Sequence, residues 1–173
     1  MTMLIVLSGL PCTGKSTLSR GIAKELDIPV YSVDPIEAAI WRGGIAPGHE
    51  TGLAAYLVAE ALAAEQLKLG HSAIVDAVNP IELSREAWRK LAAAYDARLI
   101  VIETVCSDPV LHRERAEKRV RNIPGMVEIT WERVEQVREY YEPWRQDRLV
   151  LDSVQDAGQL VKLAVNYVRE IGR

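Results

Sequence analysis

The sequence predicts an α/β domain in which a parallel sheet is covered by helices on both faces. Three observations predict it. Short apolar, β-branched runs alternate with longer amphipathic stretches, the pattern of βαβ units. The first apolar run ends in a glycine-rich turn that leads directly into a helical pattern. Later helical stretches open on Asp-Pro or Asn-Pro pairs, the chemistry expected where a helix begins.

Residues 3–7 (MLIVL) read as a buried strand bounded by Ser8-Gly9. Lys15–Leu26 reads as a helix with Leu18, Ile22 and Leu26 on one face. Further strands are expected over 29–33, 73–75 (ending at Asp76), 99–105 and 149–151, and helices over 35–42, 51–69, 82–94, 109–121, 130–142 and 156–171. Asp34-Pro35-Ile36-Glu37 reads as an acidic N-cap, a proline at the first helical position and a glutamate at the third. Asn79-Pro80-Ile81-Glu82 repeats that arrangement, Asp108-Pro109 gives a third start, and Ser153 is placed to open the last helix. The least patterned stretch, 122–128, contains Pro124-Gly125 and is expected to move.

The chain has 173 residues, which favours one domain over 1–173. Its net charge of -3 gives no global attraction for nucleic acid. Two cysteines, Cys12 and Cys106, make neither a disulfide framework nor a zinc spacing and suit a reducing compartment. The first residues have no basic region before their short apolar run, so they do not read as a signal peptide. No stretch approaches the roughly 20 apolar residues that cross a bilayer. The expectation is a cytoplasmic protein, monomeric or homodimeric.

Gly9-Leu10-Pro11-Cys12-Thr13-Gly14-Lys15-Ser16 matches G-x-x-x-x-G-K-[ST]. Glycines let such a loop turn its amides toward phosphate oxygens, and the following helix presents its positive end to the same anion. Lys15 is placed to reach the β- and γ-phosphates, and the Ser16 hydroxyl to ligate Mg²⁺. Gly9, Pro11, Cys12, Thr13, Gly14, Lys15, Ser16 and Thr17 are therefore the candidate ATP-binding residues. The chain has no Asn-Lys-x-Asp guanine motif and no G-x-G-x-x-G fingerprint, and it is too short for a large motor ATPase. Phosphoryl transfer from ATP to a bound acceptor is the leading expectation. The loop itself does not decide between ATP and GTP.

Phosphoryl transfer needs positioning, charge neutralisation and a proton acceptor for the attacking hydroxyl. Ligands of open α/β sheets sit at the carboxyl ends of the strands, where Asp34 and Asp76 both lie. Asp34 is the candidate general base, and Asp76 a candidate Mg²⁺ ligand acting through water. The two roles are interchangeable at this stage, and each aspartate has a purely structural alternative as a helix cap or a turn residue. Arg115 and Arg119, four apart on the expected helix 109–121, are candidates for contacting the transferring phosphoryl group. The alternative is a solvated face, since Glu114 and Glu117 are interleaved. His112 reads as a helix surface residue. Trp41, Arg42, Tyr56, Asn79 and Trp131 are candidates for lining the acceptor pocket.

These residues together resemble the small P-loop kinases that include zeta toxins, chloramphenicol phosphotransferase and the kinase domain of polynucleotide kinase. The resemblance rests on residues 9–17, on Asp34, on Ile74-Val75-Asp76-Ala77-Val78-Asn79-Pro80 and on 112–125. It implies a three-layer P-loop NTPase fold with a five-stranded parallel sheet in the order 2-3-1-4-5 and a helical lid over about 112–130. It implies transfer to a hydroxyl of a small-molecule acceptor with Asp34 as base, phosphate contacts from Arg115 and Arg119, and Arg113 near the adenine. Polynucleotide kinases carry an arginine three residues after the base. Glu37 stands there in this chain and argues against a nucleic-acid end as acceptor. The competing reading is a nucleotide-binding regulatory ATPase or switch without an acceptor.

Overall fold

The computed structural model describes residues 1–120 and 122–172. Strand β1 (Met3–Ser8) leads to α1 (Lys15–Leu26), β2 (Val30–Ser32), α2 (Val33–Arg42), α3 (His49–Lys68), β3 (Ala73–Asp76) and α4 (Glu82–Ala94). Then follow β4 (Arg98–Val105), α5 (Pro109–Lys118), α6 (Trp131–Tyr140), β5 (Leu149–Asp152) and α7 (Ala157–Ile171). The five strands form one sheet in the order β2-β3-β1-β4-β5, every pairing parallel. No helix among the described residues is long and apolar enough to cross a membrane.

Successive residues of a strand point to opposite faces, so β1 supplies two cores. Leu4 and Val6 pack with Val75 against Ala55, Ala59 and Ala63 of α3 and Trp88 of α4. Ile5 and Leu7 pack with Ile74, Ile100 and Ile102 against Leu18 and Ile22 of α1 and Leu160, Ala164 and Val168 of α7. Each large aliphatic side chain buried in this way contributes about 1.5–3 kcal/mol. Burial on both faces explains why β1 reads as a continuous apolar run.

Several helix starts differ from the sequence expectation. Helix α2 already begins at Val33, with Ser32 as its N-cap, so Asp34 lies inside the first turn and does not cap. Its charge still favours the positive helix end. Asn79 caps nothing either. It is fully buried at φ 51, its amide donates to the Leu7 carbonyl at 3.0 Å, and its Oδ1 accepts from Trp88 Nε1 at 2.7 Å. Helix α4 starts after Ile81, and α7 is capped by Asp156 rather than opened by Ser153. Asp108 caps α5 as expected, accepting from the amides of Val110 and Leu111. Helix α5 ends at Lys118, and Arg119 is extended at φ -70, ψ 129, so Arg115 and Arg119 do not share a helix face. The final residue of the expected helix 109–121, Arg121, lies outside the described residues.

The chain leaving α6 is clamped to the sheet. Arg85, 1% exposed, donates to the carbonyls of Asn79, Glu142 and Pro143 and stacks over Trp144 at 4.1 Å. The Tyr141 hydroxyl bonds Ser8 Oγ at 3.0 Å, donates to Glu103 Oε1 at 2.9 Å and accepts from Trp144 Nε1 at 3.1 Å. Ser8 immediately precedes the glycine-rich turn, so the end of α6 is tied to the root of that turn.

Burial pushes the Tyr141 hydroxyl up from 10.0 to about 12. The folded state therefore holds this proton more tightly than the unfolded chain, and that contribution is intact below pH 10 and lost as pH rises through about 12. Tyr141→Phe should cost roughly 1–2 kcal/mol at neutral pH in urea unfolding. The gap to the wild type should shrink between pH 10 and 12, and a gap that stays constant across that range would contradict the assignment.

Candidate active site

The turn between β1 and α1 is shaped by a few backbone positions. Gly9 has φ 133, and a Cβ on it would lie 2.2 Å from the Thr104 carbonyl oxygen, so only glycine lets the end of β1 pass β4. Cys12 (φ 65) and Gly14 (φ 94) are left-handed, and Gly14 is the N-cap of α1. The first amides of α1 have no acceptor within the helix and make an anion-binding end. Thr13 is buried, and its hydroxyl donates to the Leu10 carbonyl and bonds Thr104 Oγ1, each at 2.8 Å. The threonine thus fastens the turn to β4. Lys15 Nζ donates to the carbonyls of Gly9 at 2.9 Å and Leu10 at 2.8 Å. Burial pushes this ammonium below 10.5, opposed by the carboxylates of Asp76 and Asp34.

Two clefts meet over the start of α1. The first is lined by Pro11, Cys12, Gly14, Lys15 and Ser16 from the turn, by Ser32 and Asp34, by Asp76, Ala77 and Val78 at the end of β3, and by Arg119 and Ile129. Asp76 is 5% exposed, and its Oδ2 accepts from Ser32 Oγ at 3.1 Å and Ser19 Oγ at 3.4 Å. The second cleft, of about 540 Å³, is lined on one side by Thr17 and Leu18 and on the other by Arg115, Lys118, Ser153 and Gln155. Cys12, Gly14, Ser16 and Arg119 border both. Arg115 donates to Ser153 Oγ at 2.7 Å and to its carbonyl at 2.8 Å.

A family profile described as an AAA domain matches residues 4–144, which takes in the turn, both acidic strand ends and the α5–α6 arm. The chain belongs to this AAA domain family. Over 118 residues it is 36% identical to uncharacterized proteins of Mycobacterium tuberculosis and Mycobacterium bovis, a match covering 62% of this chain and 23% of theirs. The AAA domain thus spans about a quarter of the length of these relatives. Among solved structures, a protein of Chloroflexus aurantiacus provisionally named a kinase is 25% identical with a TM-score of 0.78, covering 98% of this chain and 97% of that one. Kti12 from Chaetomium thermophilum, in complex with ADP-AlF3, is 18% identical with a TM-score of 0.76 and coverage of 97% and 98%. A sugar kinase from Janibacter is 18% identical with a TM-score of 0.73 and coverage of 98% and 95%. The fold is the P-loop NTPase fold, with the strand order expected from the sequence.

In this AAA domain the first cleft gathers Pro11, Cys12, Gly14, Lys15, Ser16, Asp34, Asp76 and Arg119. Thr17 and Arg115 border the second cleft, while Gly9 and the Thr13 hydroxyl shape the turn from inside. Arg113 is not brought to the others. It lies exposed on α5, pairs with Glu117 at 2.7 Å and lines neither cleft. Trp41, Arg42, Tyr56, Asn79 and Trp131 line neither cleft either. Trp41 donates to Thr51 Oγ1, and the Tyr56 hydroxyl accepts from the Asn79 amide. Sequence reasoning missed Ser32 and Ser153, which stand at or beside the carboxyl ends of β2 and β5, a strand-end position that could have flagged both. It also placed His112 on the surface. The ring is 1% exposed, bonded to the Pro11 carbonyl at 2.8 Å, because α6 closes over it.

The oxygen donors Ser16 and Asp76 border the same cleft and suit a hard cation such as Mg²⁺.

Gly9→Ala should destabilise the fold by about 2–5 kcal/mol, combining backbone strain with the clash at Thr104. Gly44 also has positive φ (93), but nothing lies within 4 Å of the point a Cβ would occupy. Gly44→Ala should therefore cost only about 1–2 kcal/mol. Denaturant titration compares them, and equal costs would contradict a packing role for Gly9.

Proposed function

We propose that this protein is an ATP-dependent phosphotransferase that moves the γ-phosphoryl group to a hydroxyl of a small-molecule acceptor. The observation that carries the reading is that Lys15, Ser16, Asp34, Asp76 and Arg119 border one cleft at the carboxyl edge of the sheet. The solved relatives support it by what they are named. They include a sugar kinase, a gluconokinase of Sinorhizobium meliloti, and a Mycobacterium tuberculosis APS kinase in complex with AMPPNP and APS. The finer likeness to zeta toxins and chloramphenicol phosphotransferase belongs to the same reading.

In this reading the turn 9–17 binds the phosphates, with the α1 amides and Lys15 facing the transferring group. The nucleoside lies in the second cleft between Thr17 and Leu18 on one side and Ser153 and Gln155 on the other, with Arg115 beside it. Ser16 and Asp76 would hold Mg²⁺, which neutralises charge on the β- and γ-phosphates. Asp34 orients the acceptor hydroxyl and accepts its proton as the new O–P bond forms and the bond between the γ-phosphorus and the bridging oxygen breaks, with ADP leaving. The N-cap position that its Asp-Pro context suggests is occupied by Ser32 instead, since α2 starts before Asp34, and the Ser32 hydroxyl donates to Asp76 rather than to the helix. Arg119, which borders both clefts, supplies charge to the equatorial oxygens. The segment over about 112–130 acts as the lid. Its tip at Gly125 approaches α2, where a Cβ would lie 2.7 Å from Arg42 Cγ. No feature of the site favours a switch without an acceptor.

Asp34→Asn should fold and bind ATP with near wild-type affinity while losing transfer by about 10²–10⁴-fold. A transfer rate near wild type would remove Asp34 from the chemistry. Lys15→Ala should weaken nucleotide binding and abolish turnover. Arg119→Ala should lower kcat by about 10²-fold or more with a much smaller change in ATP affinity. Steady-state kinetics with an acceptor found by thermal-shift screening, paired with calorimetric ATP binding, checks all three. Unchanged kcat in Arg119→Ala would return that arginine to the solvent.

A further inference from the structure

His112 sits where three parts of the molecule meet. It belongs to α5, its Nε2 is 2.8 Å from the Pro11 carbonyl in the phosphate turn, and Arg138 Nη2 of α6 lies 3.4 Å from its Nδ1. A carbonyl only accepts and a guanidinium only donates, so Nε2 carries the proton and Nδ1 is bare. The ring is thereby fixed as one neutral tautomer. Trp131, the first residue of α6, meets the imidazole edge-on at 5.3 Å, and Arg138 stands 5.8 Å from the same indole. Beneath this group, Cys12 of the turn packs with Ala116 of α5 and Val134 of α6, joined by Ile129. The turn therefore rests on the α5–α6 arm through a polar contact at Pro11 and an apolar one at Cys12.

We propose that His112 is a positioning residue that couples the seating of the α5–α6 arm to the shape of the phosphate turn: its Nε2–H holds the Pro11 carbonyl while its bare Nδ1 receives Arg138 of α6. This rests on reading the turn as the phosphate site. Arg138 bonds to the ring only while Nδ1 lacks a proton. A proton there would set an N–H against a guanidinium and break the α6 half of the bridge, leaving the Pro11 half. Three cations act on His112, Arg138 from α6, Lys15 from the turn and Arg115 from α5 itself, and Arg138 also pairs with Glu135 of α6 at 3.1 Å. Burial, opposed by the Pro11 bond and helped by these three cations, pushes the imidazole below 6.5. The bridge is therefore intact above pH 6.5, and it weakens as pH falls from there toward the folded-state value.

The test measures binding of AMPPNP with Mg²⁺ by calorimetry at pH 7.5 and pH 6.0 for the wild type, His112→Phe and His112→Gln, together with ¹⁵N shifts of the His112 ring. Phenylalanine keeps the contact with Trp131 and loses both polar bonds, and it should bind the nucleotide roughly five- to tenfold more weakly at pH 7.5. Glutamine can donate to Pro11 and accept from Arg138 without titrating, and it should restore most of that affinity. Between pH 7.5 and 6.0 any extra loss of affinity in the wild type over His112→Gln should stay below about fourfold, because the imidazole titrates below 6.5, a comparison in which titration of the nucleotide itself cancels. The ring shifts should show the neutral Nε2–H tautomer at pH 7.5, a readout that needs no variant to fold. Wild-type affinity in His112→Phe, an extra wild-type loss over His112→Gln well above fourfold between pH 7.5 and 6.0, or a proton on Nδ1 at pH 7.5 would each overturn the proposal. If the wild type bound no nucleotide, the phosphate-site reading would fall, and this proposal with it.

Discussion

The structure depends on one close passage, that of Gly9 beneath the carbonyl of Thr104. Strand β1 is the central strand, paired to β3 and β4 and buried on both faces, so its end cannot shift sideways to make room. A turn that must leave such a strand and deliver a helix within a few residues requires left-handed backbone at Cys12 and Gly14 and no side chain at Gly9. Those demands place the start of α1 over the carboxyl edge of the sheet. Much of what borders the clefts is then a strand end or a helix start near that point: Ser32 at the end of β2, Asp34 just after it, Asp76 at β3, Thr104 on β4 and Ser153 after β5.

The turn is held from the far side as well. Ser8, one residue before it, bonds Tyr141, and Tyr141 with Trp144 belongs to the segment caged by Arg85. Pro11 and Cys12, in the middle of the turn, rest on α5 and α6. The arm that supplies Arg115 and Arg119 is thus attached to the turn at its root and at its crown. At the root, Ser8 is fully buried and Tyr141 half-buried, so a bond removed there leaves a polar partner with little access to water.

Much of this was legible in the sequence because the signals are local. The run 3–7 must be doubly buried, the glycine spacing of 9–16 has few backbone solutions, and Asp108-Pro109 caps as its chemistry suggests. Misreadings came where tertiary contacts override a local preference. Asp34-Pro35 looks like a cap, but Ser32 takes that place because β2 runs directly into α2. Asn79-Pro80 looks like a second one, yet the asparagine is drawn into the interior by Leu7, Tyr56 and Trp88. Arg115 and Arg119 look like neighbours on one helix face, but α5 stops between them, so Arg115 borders only the second cleft while Arg119 borders both. His112 reads as exposed because nothing in residues 109–118 announces that α6 will cover it.

The central claim is that residues 9–17 bind the phosphates of a nucleotide whose base lies in the second cleft. A crystal structure of the protein with AMPPNP and Mg²⁺ tests it most directly. The expected result is a triphosphate over the start of α1, Lys15 Nζ moved from the Gly9 and Leu10 carbonyls onto phosphate oxygens, and a base between Leu18 and Ser153. A nucleotide bound elsewhere, or Lys15 still on those carbonyls beside an empty turn at saturating nucleotide, would contradict it.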